Sequence, residues 1–261
     1  MSAKKYVPYL IAILSFVVVS LAYFHPVLEG KALFQSDIAQ FRGMSSEVKQ
    51  FREDYGEEPY WTNRAFGGMP TYQLSTYYPH DYIKKLDGLI RFLPRPADYL
   101  FLYFLSFFVL LKVLRTDWKL AVIGALGFGL STYLIIILGV GHNAKAHAIA
   151  YMPLVLSGIL LVFRGRYLPG FALTSLSMAL EINASHPQMT YLLFCVLILG
   201  VVYMVDAYRD KRLPDFFKRV AILFGAVLLS VGVNATSLQR PVCGSGRASC
   251  IRLSMWETPW P

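Results

Sequence analysis

The feature that most constrains this chain is a succession of apolar stretches, each near the length of a helix that crosses a bilayer. A hydrocarbon core about 30 Å thick takes roughly 20 apolar residues in helical form. Seven stretches meet or nearly meet that length: residues 6–24, 98–114, 119–140, 147–163, 167–182, 189–208 and 220–234. The fifth is the weakest, since Pro169 and Gly170 interrupt it and Glu181 closes it, and it reads as a tilted or partly re-entrant helix. The first follows Lys4 and Lys5 as a secretory leader would, yet it is too long for a cleavable apolar core and lacks a small-residue cleavage site. It reads as a retained anchor. The expected fold is an all-α integral membrane protein, a polytopic bundle of about seven transmembrane helices.

Composition agrees. Of 261 residues, 56% are hydrophobic and 16% charged, where a soluble domain carries about 25% charge. Three cysteines in so apolar a chain exclude a disulfide-built secreted scaffold, and the same figures exclude disorder. The net charge of +9 would suit nucleic acid if it were continuous, but the basic residues fall in short clusters between apolar runs.

Sorting charge by side explains the excess. With the N-terminus cytoplasmic, the inner segments hold twelve basic residues, among them Lys112, Arg115, Arg164, Arg166, Arg209 and Arg212, against four acids, Asp117, Asp206, Asp210 and Asp215. The long first outer loop, residues 27–97, carries nine of each sign. Basic residues favour the cytoplasmic side of membrane proteins, so the excess reports orientation and nucleic-acid binding loses its support. The chain is expected in the plasma (inner) membrane, multi-pass, with no nucleic-acid partner and its oligomeric state open.

This orientation gathers the chemically interesting residues on the outer side. His80, His142, His147 and His186 lie there or at that border, with His25 at the outer end of the first apolar stretch. The first outer loop is far longer than a connector and is expected to carry interfacial helices. Residues 37–55 read as one amphipathic helix along the membrane surface, with Ile38, Phe41, Val48 and Phe51 at helical spacing. Asp37 has two readings: a reactive carboxylate, or an N-cap completed by Gln40 three residues on. Residues 60–72 combine aromatics, Arg64 and Gly67-Gly68, which suits contact with a sugar or a phosphate headgroup; an interfacial aromatic belt explains the aromatics but not the glycines. The second outer loop, Gly139-Val140-Gly141-His142-Asn143-Ala144-Lys145, places a glycine turn before a helix N-terminus, which favours an anion, although Lys145 there equally fits a snorkelling lysine. The third has His186-Pro187-Gln188, where a lone histidine is as readily structural as ligating. No nucleotide-binding glycine loop, nucleophile elbow, zinc-site spacing or C-x-x-C occurs. Asn183-Ala184-Ser185 and Asn234-Ala235-Thr236 match the glycosylation sequon but hug the membrane.

These motifs together resemble those of the YfhO-type bacterial membrane proteins, grouped with the C-type glycosyltransferases. The resemblance rests on the apolar first stretch, Ser36-Asp37 with Gln40, Trp61 with Gly67-Gly68-Met69-Pro70, Gly141-His142 with Lys145 and Pro153-Leu154, His186-Pro187-Gln188 and Asn234-Ala235-Thr236, over about residues 1–238. Each motif is short, and their order carries the likeness. It implies a transmembrane glycosyltransferase-like region with an exoplasmic site, using a polyprenyl-phosphate-linked sugar and an envelope acceptor. Asp37 would then be the catalytic acid or base, with Arg64, His142 and Lys145 toward the lipid phosphate and His186 and Gln188 toward the acceptor. A divalent cation is possible but not required by the sequence. The rival expectation is a non-catalytic transporter or flippase-like protein, which should concentrate polar groups in mid-membrane and in broken helices. A third is an inactive fragment, because family chains are far longer. Residues 239–261 change character, holding Cys243, Cys250 and three arginines without helical period, and are expected to be a frameshifted or misassembled end.

Overall fold

A computed structural model of the chain describes residues 6–71, 74, 81–192 and 195–235. His80, Tyr72 and the atypical tail from 239 onward lie outside the described residues. The described part is mostly helical: α1 (Val7–Tyr23), α2 (Ser36–Met44), α3 (Ser46–Tyr55), a hairpin of β1 (Trp61–Thr62) and β2 (Met69–Pro70), then α4 (Tyr82–Ile90), α5 (Ala97–Val113), α6 (Trp118–Gly129), α7 (Thr132–Val140), α8 (Asn143–Phe163), α9 (Tyr167–Asn183), α10 (Pro187–Leu192), α11 (Cys195–Arg209) and α12 (Leu213–Val233). Two compact units emerge, one from the described parts of Met1–Gln40 and His80–Ala235, the other from those of Phe41–Pro79.

Among the described residues, two helices, α8 and α12, have both the length and the apolarity to cross a membrane, at 21 residues each. A third crossing arises if α6 and α7 count as one span bent by 46°. This corrects the count of seven. The stretch 119–140 breaks at Leu130–Ser131, after Gly129, whose missing side chain admits Phe104: a Cβ there would meet that ring at 2.5 Å. Helices α1, α5 and α9 have 17 residues each, about 26 Å at 1.5 Å per residue, short of a full hydrocarbon core.

Helix α8 is the centre of the first unit and packs against α5 on one side and α9 on the other. The α8–α9 contact is backbone to backbone. A Cβ on Gly158 would lie 2.6 Å from the Thr174 amide, and one on Gly170 would lie 2.7 Å from the Val162 amide. Small residues at such positions allow helices to approach without a hydrophobic drive, as lipid surroundings demand. Around α5 the core is aromatic, with Phe16 of α1 edge-on to Phe108 at 5.6 Å and Tyr103, Phe104 and Tyr151 fully buried. The outward sides of α1 (Leu10, Leu14, Val18) and α12 (Phe224, Leu228, Val231) stay apolar and exposed. In water such faces would demand a cover; in lipid they are the solvent-facing side.

The second unit is small and polar. The stretch 37–55 is two helices rather than one, parting at Ser45, where Ser45 Oγ donates back to the Phe41 carbonyl at 2.7 Å and Ser46 Oγ to that of Gly43 at 2.8 Å. The hairpin answers the question of the glycines. Gly67 (φ +75°) and Gly68 (φ +123°) turn the chain between β1 and β2, and a Cβ on Gly68 would come within 2.9 Å of the Trp61 ring. Glu47 Oε2 fastens the turn, accepting from Thr62 Oγ1 at 2.6 Å and from the amides of Asn63 at 2.9 Å and Arg64 at 3.2 Å. The Thr62 bond leads in holding the Glu47 carboxyl below its ordinary value, assisted by those amides against the opposing effect of burial.

Because the α8–α9 contact leaves no room for a side chain, Gly158→Val is expected to destabilise the bundle by about 1–3 kcal/mol. Gly127→Ala, on a helix with open space at its Cβ, should be neutral or slightly stabilising. Thermal unfolding of both variants in detergent checks this; equal midpoints would show that α8 and α9 are not in register as described.

Candidate functional site

Three polar clusters occupy the first unit, all at the end of the bundle where α5 and α8 begin and α9 ends. The first joins the segment before α2 to the turn before α8. Gln35 Nε2 donates to the Leu138 carbonyl at 2.6 Å, and Asn143 Nδ2 donates to Gln35 Oε1 at 3.3 Å. Asp37 Oδ2 lies 2.5 Å from His142 Nδ1, with the two side chains 38% and 48% exposed. Gly141 makes this approach possible. It sits at φ +101°, and a Cβ on it would press on Gln35 Cβ at 2.8 Å and touch Asp37 Cβ at 3.5 Å.

The capping expectation for Asp37 gives way here. Helix α2 starts at Ser36, so Asp37 lies within the first turn rather than at the cap, and its carboxylate turns to the imidazole instead of to Gln40. Lys145 is one turn into α8, with Nζ 5.2 Å from the centre of the Tyr133 ring. This is cation–π contact, which leaves the ammonium unneutralised. His142 is the N-cap residue of α8, so His142, Lys145 and the first amides of α8 share the positive end of the helix dipole.

The second cluster is buried and was not visible as a site in the sequence. The Asp87 carboxylate of α4 accepts from Tyr151 Oη at 2.6 Å and lies 2.6 Å from His147 Nε2 on one oxygen; on the other it accepts from Arg91 Nη2 at 2.6 Å and Nε at 2.9 Å. Arg91 Nη1 reaches on to Asp98 Oδ2 at 2.7 Å, and Asp98 Oδ1 takes the Tyr99 amide at 2.9 Å. The Arg91 guanidinium also lies 5.0 Å from the centre of the Tyr99 ring. Burial by itself pushes the Asp87 carboxyl up, but the bonds from His147, Arg91 and Tyr151 together outweigh it and hold the group well below the usual carboxylate range. Every lone pair is engaged, so this cluster fastens α4 to α5 and α8 rather than waiting for a ligand. The signal in the sequence was Asp87 and Arg91 at helical i,i+4 spacing. Nothing local pointed to Asp98 or Tyr151 as their partners.

The third cluster closes the C-terminal end of α9. Asp81 caps α4 through the Lys84 amide at 2.8 Å and accepts from Asn183 Nδ2 at 2.9 Å with its other oxygen. Asn234 is buried and donates to the carbonyls of Ala179 at 3.0 Å and Ser230 at 2.9 Å. The two sequon asparagines are thus engaged inside the bundle. Glu181 is fully buried and accepts from Thr190 Oγ1 at 3.0 Å.

Of the residues expected at a site, Asp37 and His142 are in direct contact, and Lys145 stands on the same helix turn as His142's cap. His186 is half-buried at the start of α10, with Nδ1 enclosed and lacking a hydrogen-bond partner among the described residues, and Gln188 is exposed beside it. No hydrogen bond or ion pair joins either to Asp37 among the described residues. Arg64 belongs to the second unit, on the hairpin turn, exposed and tied by its amide to Glu47. Among the described residues no three His, Cys, Asp or Glu side chains gather as a metal site.

Two outcomes are expected. Gly141→Ala, strained by the positive φ and crowded against Gln35, should lower the thermal midpoint and loosen residues 35–40, read as faster amide hydrogen exchange there while α5 is unchanged. Asp87→Asn should cost about 3–5 kcal/mol at neutral pH, since it leaves Arg91 without its main counter-charge. The folded Asp87 titrates below its unfolded value, so its contribution is complete above the ordinary carboxylate range and fades as pH falls below it. The gap between wild type and Asp87→Asn should therefore narrow progressively as the pH falls below about 5 in thermal unfolding; a constant gap would show that Asp87 is not the titrating anchor.

No protein family, curated protein or solved structure matches the chain, so the likeness to the YfhO-type proteins rests on its short motifs alone.

Proposed function

We propose that the protein is a multi-pass membrane transferase that moves a sugar from a polyprenyl-phosphate carrier to an exoplasmic hydroxyl acceptor, with Asp37 as general base. The observation that carries this reading is the open Asp37–His142 pair, a carboxylate 2.5 Å from an imidazole at the end of an apolar bundle. Of the other carboxylates at the bundle end, Asp87, Asp98 and Asp81 are consumed by internal bonds, and Glu181 is fully buried against Thr190. Asp37 keeps an exposed oxygen on a carboxylate oriented by His142.

In the reaction, the acceptor hydroxyl loses its proton to Asp37 as its oxygen bonds to the anomeric carbon, and the bond from that carbon to the phosphate oxygen breaks. The departing polyprenyl phosphate takes the electron pair. Lys145 and the N-terminal amides of α8 supply positive charge at the height where that phosphate leaves. The apolar outer faces of the helices suit the polyprenyl chain. This reading places the N-terminus in the cytoplasm of a plasma-membrane protein, as the charge distribution favours.

A transport reading has one observation on its side, the 46° break at Leu130–Ser131 between α6 and α7. The two are separated by one experiment. In the reconstituted full chain given a polyprenyl-phosphate sugar and a hydroxyl acceptor, Asp37→Asn should reduce product formation by about 10²–10⁴ while the protein keeps its thermal midpoint. His142→Gln should reduce it less. Unaltered transfer by a folded Asp37→Asn variant removes Asp37 as base, and movement of lipid-linked sugar across the bilayer without product supports transport instead.

A further inference from the structure

At the other end of α8 from the Asp37–His142 pair, about 30 Å along the helix, lies a second cationic feature that the transfer chemistry does not use. A cavity of about 400 Å³ opens between the ends of α1, α5 and α8. One wall is apolar, formed by Tyr9, Phe108 and Leu161 among others, and the rim holds Lys112, Arg115, Arg164 and Arg166. Among the described residues no acidic side chain lines it.

Positive residues on this side are expected from topology alone, so their arrangement decides the matter. Another cavity at the same end of the bundle, about 470 Å³, gives the contrast. Its Arg209, Arg212 and Arg219 are matched by Asp206, Asp210 and Asp215, and Arg212 is ion-paired with Asp210. In the first cavity two of the cations are held by main-chain carbonyls instead: Lys112 Nζ donates to the Thr116 carbonyl at 2.7 Å, and Arg164 Nη1 donates to that of Val113. Those bonds fix the side chains at the rim and leave their charge uncompensated. Arg115 sits at φ +67°, a left-handed position at the end of α5 where glycine would be less strained. An arginine is carried there all the same.

We propose that this cavity is a binding site for the phosphate headgroup of an anionic phospholipid. Four cations line this one cavity, and its apolar wall continues toward the exposed apolar side of α1, where an acyl chain would lie. A free phosphate shares the anionic chemistry but gains nothing from Tyr9, Phe108 and Leu161. Basic pockets between membrane helices are suited to such headgroups. The proposal rests on the reading of the bundle as embedded in a bilayer and on none of the sugar-transfer chemistry, so either can fail alone.

The test uses the full chain purified in a neutral detergent and titrated with phosphatidylglycerol, phosphatidylcholine or inorganic phosphate, with bound lipid counted by native mass spectrometry and the thermal midpoint followed in parallel. Phosphatidylglycerol should bind saturably and raise the midpoint, with phosphatidylcholine and inorganic phosphate at least about tenfold weaker. Arg115→Gln with Arg166→Gln removes two rim charges without touching the Lys112 and Arg164 carbonyl bonds, and should weaken phosphatidylglycerol by about tenfold or more. Lys119→Gln, outside the cavity, should leave it unchanged, and the unliganded midpoints of all variants report whether folding is intact. Equal binding of the two lipids, equal binding of inorganic phosphate, or a folded double variant with wild-type affinity would each overturn the proposal.

Discussion

The arrangement of the first unit depends on how one carboxylate, Asp87, is satisfied inside an apolar bundle. An ionised group taken from water into such surroundings costs several kcal/mol unless its partners replace the lost hydration. Asp87 finds four such bonds from three side chains on two segments: Arg91, one turn on at the end of its own helix, and His147 and Tyr151 from α8. Arg91 in turn brings in Asp98 at the head of α5. Because those bonds converge on two oxygens, α4, α5 and α8 have little freedom to slide at that end.

That fixed end sets the geometry of the open one. With the head of α8 held through His147 and Tyr151, the turn just before it, Gly141-His142, is held too, and the segment from Gln35 to Asp37 seats on it. The exposed pair and the buried network differ in kind. In one, every acceptor is engaged and the charge is neutralised; in the other, a carboxylate meets a single imidazole and faces solvent. The first kind gives rigidity, and the second leaves a carboxylate open to solvent.

Much of this could be read from residues in order. The apolar stretches marked where helices would lie, and Gly141-His142 before a helix start marked a place for charge. The sequence also showed Asp37 as a carboxylate with two competing uses, and only the packed chain brought it to His142, more than a hundred positions away. The glycines at 67 and 68 invited a ligand-contact reading, yet they serve a hairpin turn under the Trp61 ring. Asp81, Asn183 and Asn234 carried no warning of their link, since side chains distant in sequence meet only once α4, α9 and α12 are packed. Hydropathy counts apolar residues without regard to helix breaks, which is why one continuous stretch proved to be α6 and α7.

The sequence by itself determined that this is a helix-rich, apolar chain with helices suited to lipid and basic residues sorted to the segments between them, because hydropathy and charge are summed locally along the chain. Tertiary structure alone decided which charges are neutralised and which stay open. That choice turns on distances of a few ångströms between residues far apart in sequence, which give Asp87 four bonds in a buried network and leave Asp37 against a single imidazole at the surface.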